Sequence, residues 1–277
     1  MRFGGPLFDD CSTPELWIAA LRRKRFRAAS CPVPVTASDG EVRAFGQAAQ
    51  QADIVIAEVG AWSSPLSSDE TERSAALEKC KSGLAFADRI GARVCVNIAG
   101  SRGEKWDGPH PANLTEETFE MIVATSRDII DSVQPKRAFY ALESMPWMYP
   151  DSPDSYLRLI HAIDRAQFGV HLDPVNIINS PSRFFDNAGF LRECFAKLGP
   201  YIKSCHAKDI QLTSQLTVHL DEVRPGLGGL DYRVFLTELN KLDPNIPILV
   251  EHLTSEEEYD LASQFIRSVA DEVKISL

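Results

Sequence analysis

Four residues spread over the second half of the chain have the types and spacing to do chemistry together: Glu143, Asp173, His206 and Glu251. Three of them follow apolar, strand-like runs: Tyr140-Ala141-Leu142 precedes Glu143, Val170-His171-Leu172 precedes Asp173, and Ile248-Leu249-Val250 precedes Glu251. The intervals are 30, 33 and 45 residues, roughly one strand-plus-helix unit each, with the last lengthened by a loop. A lone strand-end carboxylate usually caps a helix or faces water, and a lone histidine in an apolar strand is usually a core residue. Four in equivalent places ask for more. Burying three carboxylates side by side without a counter-charge is very costly, and one divalent cation removes that cost. Three carboxylates and an imidazole form a hard, oxygen-rich ligand set. It suits one Mn2+ or Mg2+ ion, with Co2+ also accommodated, better than the cysteine-rich shells of structural zinc suit it.

These residues converge only if the runs that carry them are neighbouring parallel strands. Strand candidates are 53–59, 93–98, 137–143, 168–173, 201–207 and 247–252, with weaker ones at 2–5 and 26–30. Helical patterns lie between them at 14–24, 39–51, 69–90, 115–133, 152–163, 184–198, 232–242 and 255–273. Thr115-Glu116-Glu117 and Ser255-Glu256-Glu257-Glu258 are N-terminal helix signals, a hydroxyl ahead of acidic residues in the first turn. Strand and helix alternating eight times predict an α/β fold, a (β/α)8 TIM barrel, with residues 1–277 as a single domain. An open doubly wound sheet would carry G-x-G-x-x-G after its first strand, and the chain has none. All strands of such a barrel point their C-terminal ends to one face, which is where the quartet falls.

The chain has 277 residues, 39 acidic and 29 basic, for a formal net charge of −10. Nothing in that balance predicts the basic face that binding nucleic acid requires. The basic stretch Arg22-Arg23-Lys24-Arg25 ends a helix, where cations suit the negative end of its dipole. Six scattered cysteines without a C-x-x-C pair read as reduced, buried thiols rather than a disulfide frame or zinc site. With no signal-peptide pattern and no apolar run of membrane-spanning length, a cytoplasmic, membrane-free location is expected. A homo-oligomer stays open.

Glu143, the HLDP run at 171–174, CHAKD at 205–209, PGLGG at 225–229 and VEH at 250–252 together resemble the sugar phosphate isomerase/epimerase superfamily of xylose isomerase-like barrels, from about residue 50 onward. That superfamily includes ketose 3-epimerases, hydroxypyruvate isomerase and inosose dehydratase. The resemblance implies a divalent-metal-dependent isomerase or epimerase acting on a ketose or related hydroxy-carbonyl compound, a small carbohydrate substrate. The metal polarises the carbonyl, a carboxylate removes the neighbouring proton, and the enediolate is reprotonated on either face. It also implies that Glu143 and Glu251 are both ligands and acid/base groups. A lyase or dehydratase on the same scaffold is the alternative, since elimination can follow the same proton abstraction. Two departures appear. Asn176 stands where the epimerases carry a substrate-binding histidine, and Leu212 stands where they carry an arginine. The histidine-rich DNA-repair branch of such barrels fits poorly, with six histidines in all, His161 mid-helix and His219 in a loop. A non-catalytic sugar sensor would have lost the acid/base pair.

Further polar residues fall on the same face. Asn176, Lys208, Arg224, Glu58, Asn97, Trp106 and His171 are expected to bind substrate, Lys208 alternatively pairing with a site carboxylate and His171 alternatively orienting a ligand or packing in the core. Trp62 and Trp147 join Trp106 as rings that can stack on a sugar. Loop 100–113 is long and polar enough to act as a lid. Residues 224–229 form a Gly-rich loop after the seventh strand; such loops cradle phosphate or simply turn, and the two read alike.

Overall fold

Side-chain caps start the helices. Thr13, Asp69, Thr115, Ser152 and Ser255 each accept the backbone N–H three residues on. Ser38 and Glu41 form a reciprocal capping box. Gly91, at φ 85°, ends the longest helix in a left-handed turn that a residue with a Cβ adopts only at a cost. The computed structural model describes residues 1–277.

The strands are β1 (Arg2–Gly4), β2 (Ala28–Ala29), β3 (Val55–Ile56), β4 (Glu58–Gly60), β5 (Val94–Asn97), β6 (Phe139–Glu143), β7 (Phe168–Leu172), β8 (Ile202–Ala207), β9 (Asp209–Leu212), β10 (Leu220–Val223) and β11 (Pro247–Val250). The helices are α1 (Pro14–Lys24), α2 (Asp39–Gln51), α3 (Glu70–Ile90), α4 (Glu116–Val133), α5 (Pro153–Ile163), α6 (Pro174–Ile177), α7 (Pro181–Phe185), α8 (Asn187–Leu198), α9 (Tyr232–Leu239) and α10 (Glu256–Glu272). The parallel strands run in the order β3-β2-β1-β11-β8-β7-β6-β5-β4. β3 and β4 are two pieces of one strand interrupted at Ala57. Ala57 donates its N–H to the Ala29 carbonyl (2.7 Å) and accepts from Val94 N–H (3.2 Å), so the third barrel strand bonds to both neighbours and the cylinder closes. This is the TIM barrel that the sequence predicts.

Small residues fill the barrel interior. Ala28, Ala57 and Leu249 form one cluster, and Val94, Val96 and Ala141 another. A large apolar core lies between the strands and the helices and includes Phe3, Tyr140, Tyr156 and Phe235. At Gly4 a side chain would collide with the Ala28 carbonyl of the neighbouring strand, so only glycine fits.

Several boundaries depart from the sequence reading. The second strand shrinks to Ala28–Ala29. The helix expected at 184–198 starts at Asn187, capped by Asp186, with α7 as a separate turn before it. The helix after Asp231 stops at Leu239. The antiparallel hairpin β9–β10 is an addition, inserted after the seventh barrel strand. Its strands are short and only partly apolar, so their pattern did not separate from a loop. All six cysteines are free, four of them buried.

Candidate metal centre

The ends of β6, β7, β8 and β11 bring Glu143, Asp173, His206 and Glu251 to one spot, with one donor atom of each within 4.8 Å of the others. Alternation along β6 puts Glu143 on the face of Ala141, inside the barrel. Asp173 caps α6: its Oδ1 accepts the N–H groups of Val175 (3.1 Å) and Asn176 (3.3 Å). That leaves Oδ2 aimed into the site, fully buried and without a well-directed hydrogen bond, with the Lys208 ammonium 2.8 Å away. Glu251 Oε1 is buried in the same way, 2.7 Å from both His206 Nδ1 and the Lys208 ammonium and likewise without a well-directed hydrogen bond. Buried carboxylate oxygens that face one point and are held by ion pairs alone, in a set of three carboxylates and an imidazole, fit a hard divalent ion.

His206 is turned by its surroundings. Its Nδ1 lies 2.7 Å from Glu251 Oε1 and 3.3 Å from Glu143 Oε1, while its Nε2 faces Glu58 Oε2 at 3.4 Å. Below it, the His171 ring lies edge-on at 4.0 Å, with its own Nδ1 2.6 Å from Ser204 Oγ. The Glu58 carboxylate beside Nε2 and the packed edge of His171 surround the imidazole, and its Nδ1 meets the other carboxylates. Glu58, His171 and His206 also lie close enough to suggest a second ligand trio. His171 has already spent Nδ1 on Ser204, and the trio offers a single carboxylate.

The Lys208 ammonium is the other positive group in the site. It lies 2.8 Å from Asp173 Oδ2 and 2.7 Å from Glu251 Oε1, and 3.7 Å from both Glu143 and Glu222. The electrostatics follow from this crowding. Burial pushes Glu143 up to about 7 against the pull of His206 and Lys208. Burial also opposes ionisation of Glu251, yet His206 and Lys208 outweigh it and hold that carboxyl well below its usual range. Burial alone would lower His206, but the surrounding glutamates hold it well above an ordinary histidine. His171, sealed from water and beside His206, is driven far down. Burial opposes the charge on Lys208 too, and the ring of carboxylates more than restores it.

Above these groups opens a pocket of about 380 Å3. Glu58, Trp106, Asn176 and Lys208, all expected as substrate contacts, line it together with Trp62 and Trp147. Asn176 Nδ2 donates to Glu143 Oε1 at 3.1 Å, so its amide touches the proposed ligand set itself.

Three expected substrate contacts are corrected. Asn97 points outward, because Val94 and Val96 on the same strand point in. Its Oδ1 accepts from Ser63 N–H (3.0 Å) and its Nδ2 reaches Cys80 Sγ (3.3 Å) between strand and helix. The inward residue at that strand end is Ile98, which lines the pocket. Arg224 turns onto Glu258 (2.9 Å) and lines a neighbouring groove. His171 is fully buried beneath His206 and has no access to the pocket. Lys208 takes the ion-paired alternative. Loop 100–113 is tied down by buried Asn113, whose side chain accepts from Arg102 N–H (2.8 Å) and donates to the Gly108 carbonyl (3.1 Å). Trp147 Nε1 donates to the Asp107 carbonyl (2.8 Å), joining this loop to the next. Glu222 and His252 were missed. His252 could have been found as the residue after Glu251, but Glu222 reaches the site only through the hairpin.

A closed parallel barrel with an acid-rich pocket at the C-terminal ends of its strands defines the class of this protein. The chain belongs to the xylose isomerase-like TIM barrel family, whose profile matches residues 22–269. The match begins well before residue 50, so the resemblance is broader than the motifs alone suggest. Among solved structures, D-psicose 3-epimerase from Clostridium cellulolyticum H10, crystallised with D-tagatose, superposes with a TM-score of 0.71 at 13% identity over 100% of both chains. A probable 3-DHS dehydratase from Bacillus anthracis gives 0.66 at 15% identity, covering 92% of each chain. A xylose isomerase-like TIM barrel protein from Mycobacterium smegmatis, in complex with magnesium, gives 0.65 at 16%, covering 94% of this chain and 89% of that one. At these identities the likeness speaks for the fold. Among curated proteins, no sequence matches. No helix is long and apolar enough to cross a membrane.

Proposed function

We propose that this protein is a divalent-metal-dependent isomerase or epimerase acting on a ketose or a related hydroxy-carbonyl compound. The observation that carries this reading is that two buried oxygens, Asp173 Oδ2 and Glu251 Oε1, held by ion pairs alone and without a well-directed hydrogen bond, face one point with Glu143 and His206 Nδ1. Glu143, Asp173, His206 and Glu251 would hold Mn2+ or Mg2+. The ion would supply Lewis-acid polarisation of a carbonyl and acidify the adjacent C–H. Glu143 and Glu251 flank the site and serve as the base and acid that take the proton from carbon and return it. Asn176 holds Glu143 in place, Glu58 orients His206, and Lys208 offsets the carboxylate charge. Trp62, Trp106 and Trp147 offer flat apolar surfaces to the C–H face of a sugar ring.

The epimerase likeness agrees with this chemistry, and the magnesium-bound relative agrees with the donor set. Dehydration of a hydroxy-carbonyl substrate is the second reading, favoured by the dehydratase relative. It begins with the same proton abstraction and ends with loss of a β-hydroxyl. The test is a screen of ketoses, keto-glycosides and inososes in D2O with added Mn2+ or Mg2+, read by NMR. Deuterium should enter at the carbon beside the carbonyl only when metal is present. Unchanged product mass, apart from deuterium, marks isomerisation, and loss of water marks dehydration. If no hydroxy-carbonyl compound exchanges under any metal, the reading fails.

A further inference from the structure

A second groove, of about 460 Å3, opens beside the pocket, between the end of β10 and the loop from β11 to α10. The two cavities adjoin at His252, which lines both. Its backbone lies in the left-handed region at φ 60°, a conformation that costs a residue with a Cβ energy and marks positions held for a purpose. The ring stands between Glu222, 3.3 Å from Nδ1, and Glu251, 3.6 Å from Nε2. Glu222 lines the groove and lies 3.7 Å from the ammonium of Lys208, which lines the pocket. Because the His252 side chain is 59% exposed, the boundary is an open rim rather than a sealed partition. One molecule can therefore lie across it, with one unit over the metal ligands and the next in the groove.

The groove's own surface says what that second unit is. Val223, Leu227 and Leu253 supply apolar patches, and Leu227 is 58% exposed. Arg224, turned away from the pocket, serves this groove, paired with Glu258 at 2.9 Å and donating to the Pro225 carbonyl at 3.3 Å. Its guanidinium has more donors than those contacts use. Thr254 adds a hydroxyl. A phosphate would find no amide cradle here. The N–H groups of Gly226 and Gly228 are spent on Asp209 (2.9 and 3.1 Å), and that of Leu227 on the Arg224 carbonyl (3.0 Å). No Phe, Tyr or Trp lines the groove, so an aromatic group would find no ring to stack on. Aliphatic patches beside a hydroxyl and an Arg–Glu pair suit the C–H face and vicinal hydroxyls of a sugar.

We propose that this groove is a binding subsite for a second sugar unit, so that the substrate is a glycoside of disaccharide size whose carbonyl-bearing unit lies over Glu143, Asp173, His206 and Glu251. The carbonyl unit rests on the isomerase reading above; the affinity of the groove for a sugar does not.

Two measurements separate them. The first needs no turnover: glucose, cellobiose and phenyl β-glucoside are titrated against the protein by calorimetry and by quenching of tryptophan fluorescence. Cellobiose should bind about 10-fold or more tightly than glucose, the gain of one added set of contacts. Thr254→Trp fills the groove and should reduce cellobiose to the affinity of glucose, with circular dichroism and Mn2+ titration checking that barrel and quartet are intact. Where that variant does not fold, Leu227→Asp removes apolar surface, adds a charge and gives the same readout. Equal affinity for the two sugars, undetectable binding of cellobiose, or a cellobiose advantage that survives in the folded variant overturns the subsite. Phenyl β-glucoside bound more tightly than cellobiose overturns the assignment to a sugar. The second measurement compares kcat/KM of the metal-loaded enzyme, in the D2O assay, for a keto-disaccharide and the matching keto-monosaccharide. The disaccharide should win by about 10-fold or more, and equal use overturns the proposal. Exchange with neither sinks the isomerase reading, while the titrations still decide what the groove binds.

Discussion

The two mouths of the barrel hold cavities of similar size and opposite electrostatics. At the N-terminal mouth a cavity of about 470 Å3 is lined by Arg2, Asp53, Arg93 and Arg137 among others. Its charges are matched locally. Arg2 and Arg27 share Asp53, Arg93 takes Asp243, and Asp88 accepts the N–H groups of Lys136 and Ala138, both at 2.9 Å. Most of these groups are partly exposed, so water finishes the neutralisation. At the C-terminal mouth five carboxylates (Glu58, Glu143, Asp173, Glu222 and Glu251) crowd around Lys208 and His206, and three of their oxygens are buried without a well-directed hydrogen bond. The larger cavity is therefore a surface feature with its charges settled, and the smaller one keeps a charge excess that asks for a cation. Local charge balance, more than volume, tells the two apart.

The strongest way to break that contrast is at the two glutamates. Glu143→Gln and Glu251→Gln preserve shape and delete the base, and each should cut turnover by about 10²-fold or more, the usual worth of a positioned acid or base. A variant that still exchanges substrate hydrogen with D2O but forms no product would assign the two roles separately. Near-normal turnover in both variants, with metal bound, would move the proton chemistry to other residues.

Metal affinity comes next. His206→Ala should weaken Mn2+ binding by at least 10- to 100-fold, the scale of changes even one layer further out, while the barrel stays folded. Calorimetric titration and circular dichroism check the two parts, and unchanged affinity would make His206 a core residue. In the wild type the same affinity should rise with pH. Glu143 titrates at about 7, so below that value a proton competes with the ion and affinity falls by up to tenfold per pH unit. The proton held by His206 adds to the slope in the same direction, because the ion must displace it too. A flat profile between pH 6 and 8 would mean that neither proton is there to displace.

The smallest effect belongs to the opposite mouth. Arg93→Gln breaks the pair with Asp243, whose side chains are 24% and 40% exposed. It should cost about 0–1 kcal/mol of stability and leave Mn2+ affinity untouched. A change in metal affinity would couple the two mouths and erase the distinction between them.

The quartet was legible because each member stands at the end of a separate strand candidate, three of them after apolar runs, and parallel strands bring such ends together. Asn97 was misplaced for a reason also written in the chain. Val94 and Val96 face inward, so period-two alternation sends Asn97 out and makes Ile98 the pocket residue. The inward turn of Glu58 is harder to read, since Ala57 also lies inside the barrel and the strand is interrupted between β3 and β4.

By itself the sequence determined the barrel, its order of strands and helices, and the four residues gathered at one face. These follow from hydrophobic periodicity and chain direction, which are local and repetitive. Only the tertiary structure decided how charges pair within that face. Lys208 settles between Asp173 and Glu251, Arg224 turns to Glu258, Glu222 arrives on a hairpin, and Asp209 closes the glycine loop from within. Those choices depend on distances of a few ångströms between residues far apart in the chain, where the Coulomb energy of a buried pair changes steeply and spacing in sequence carries no record of it.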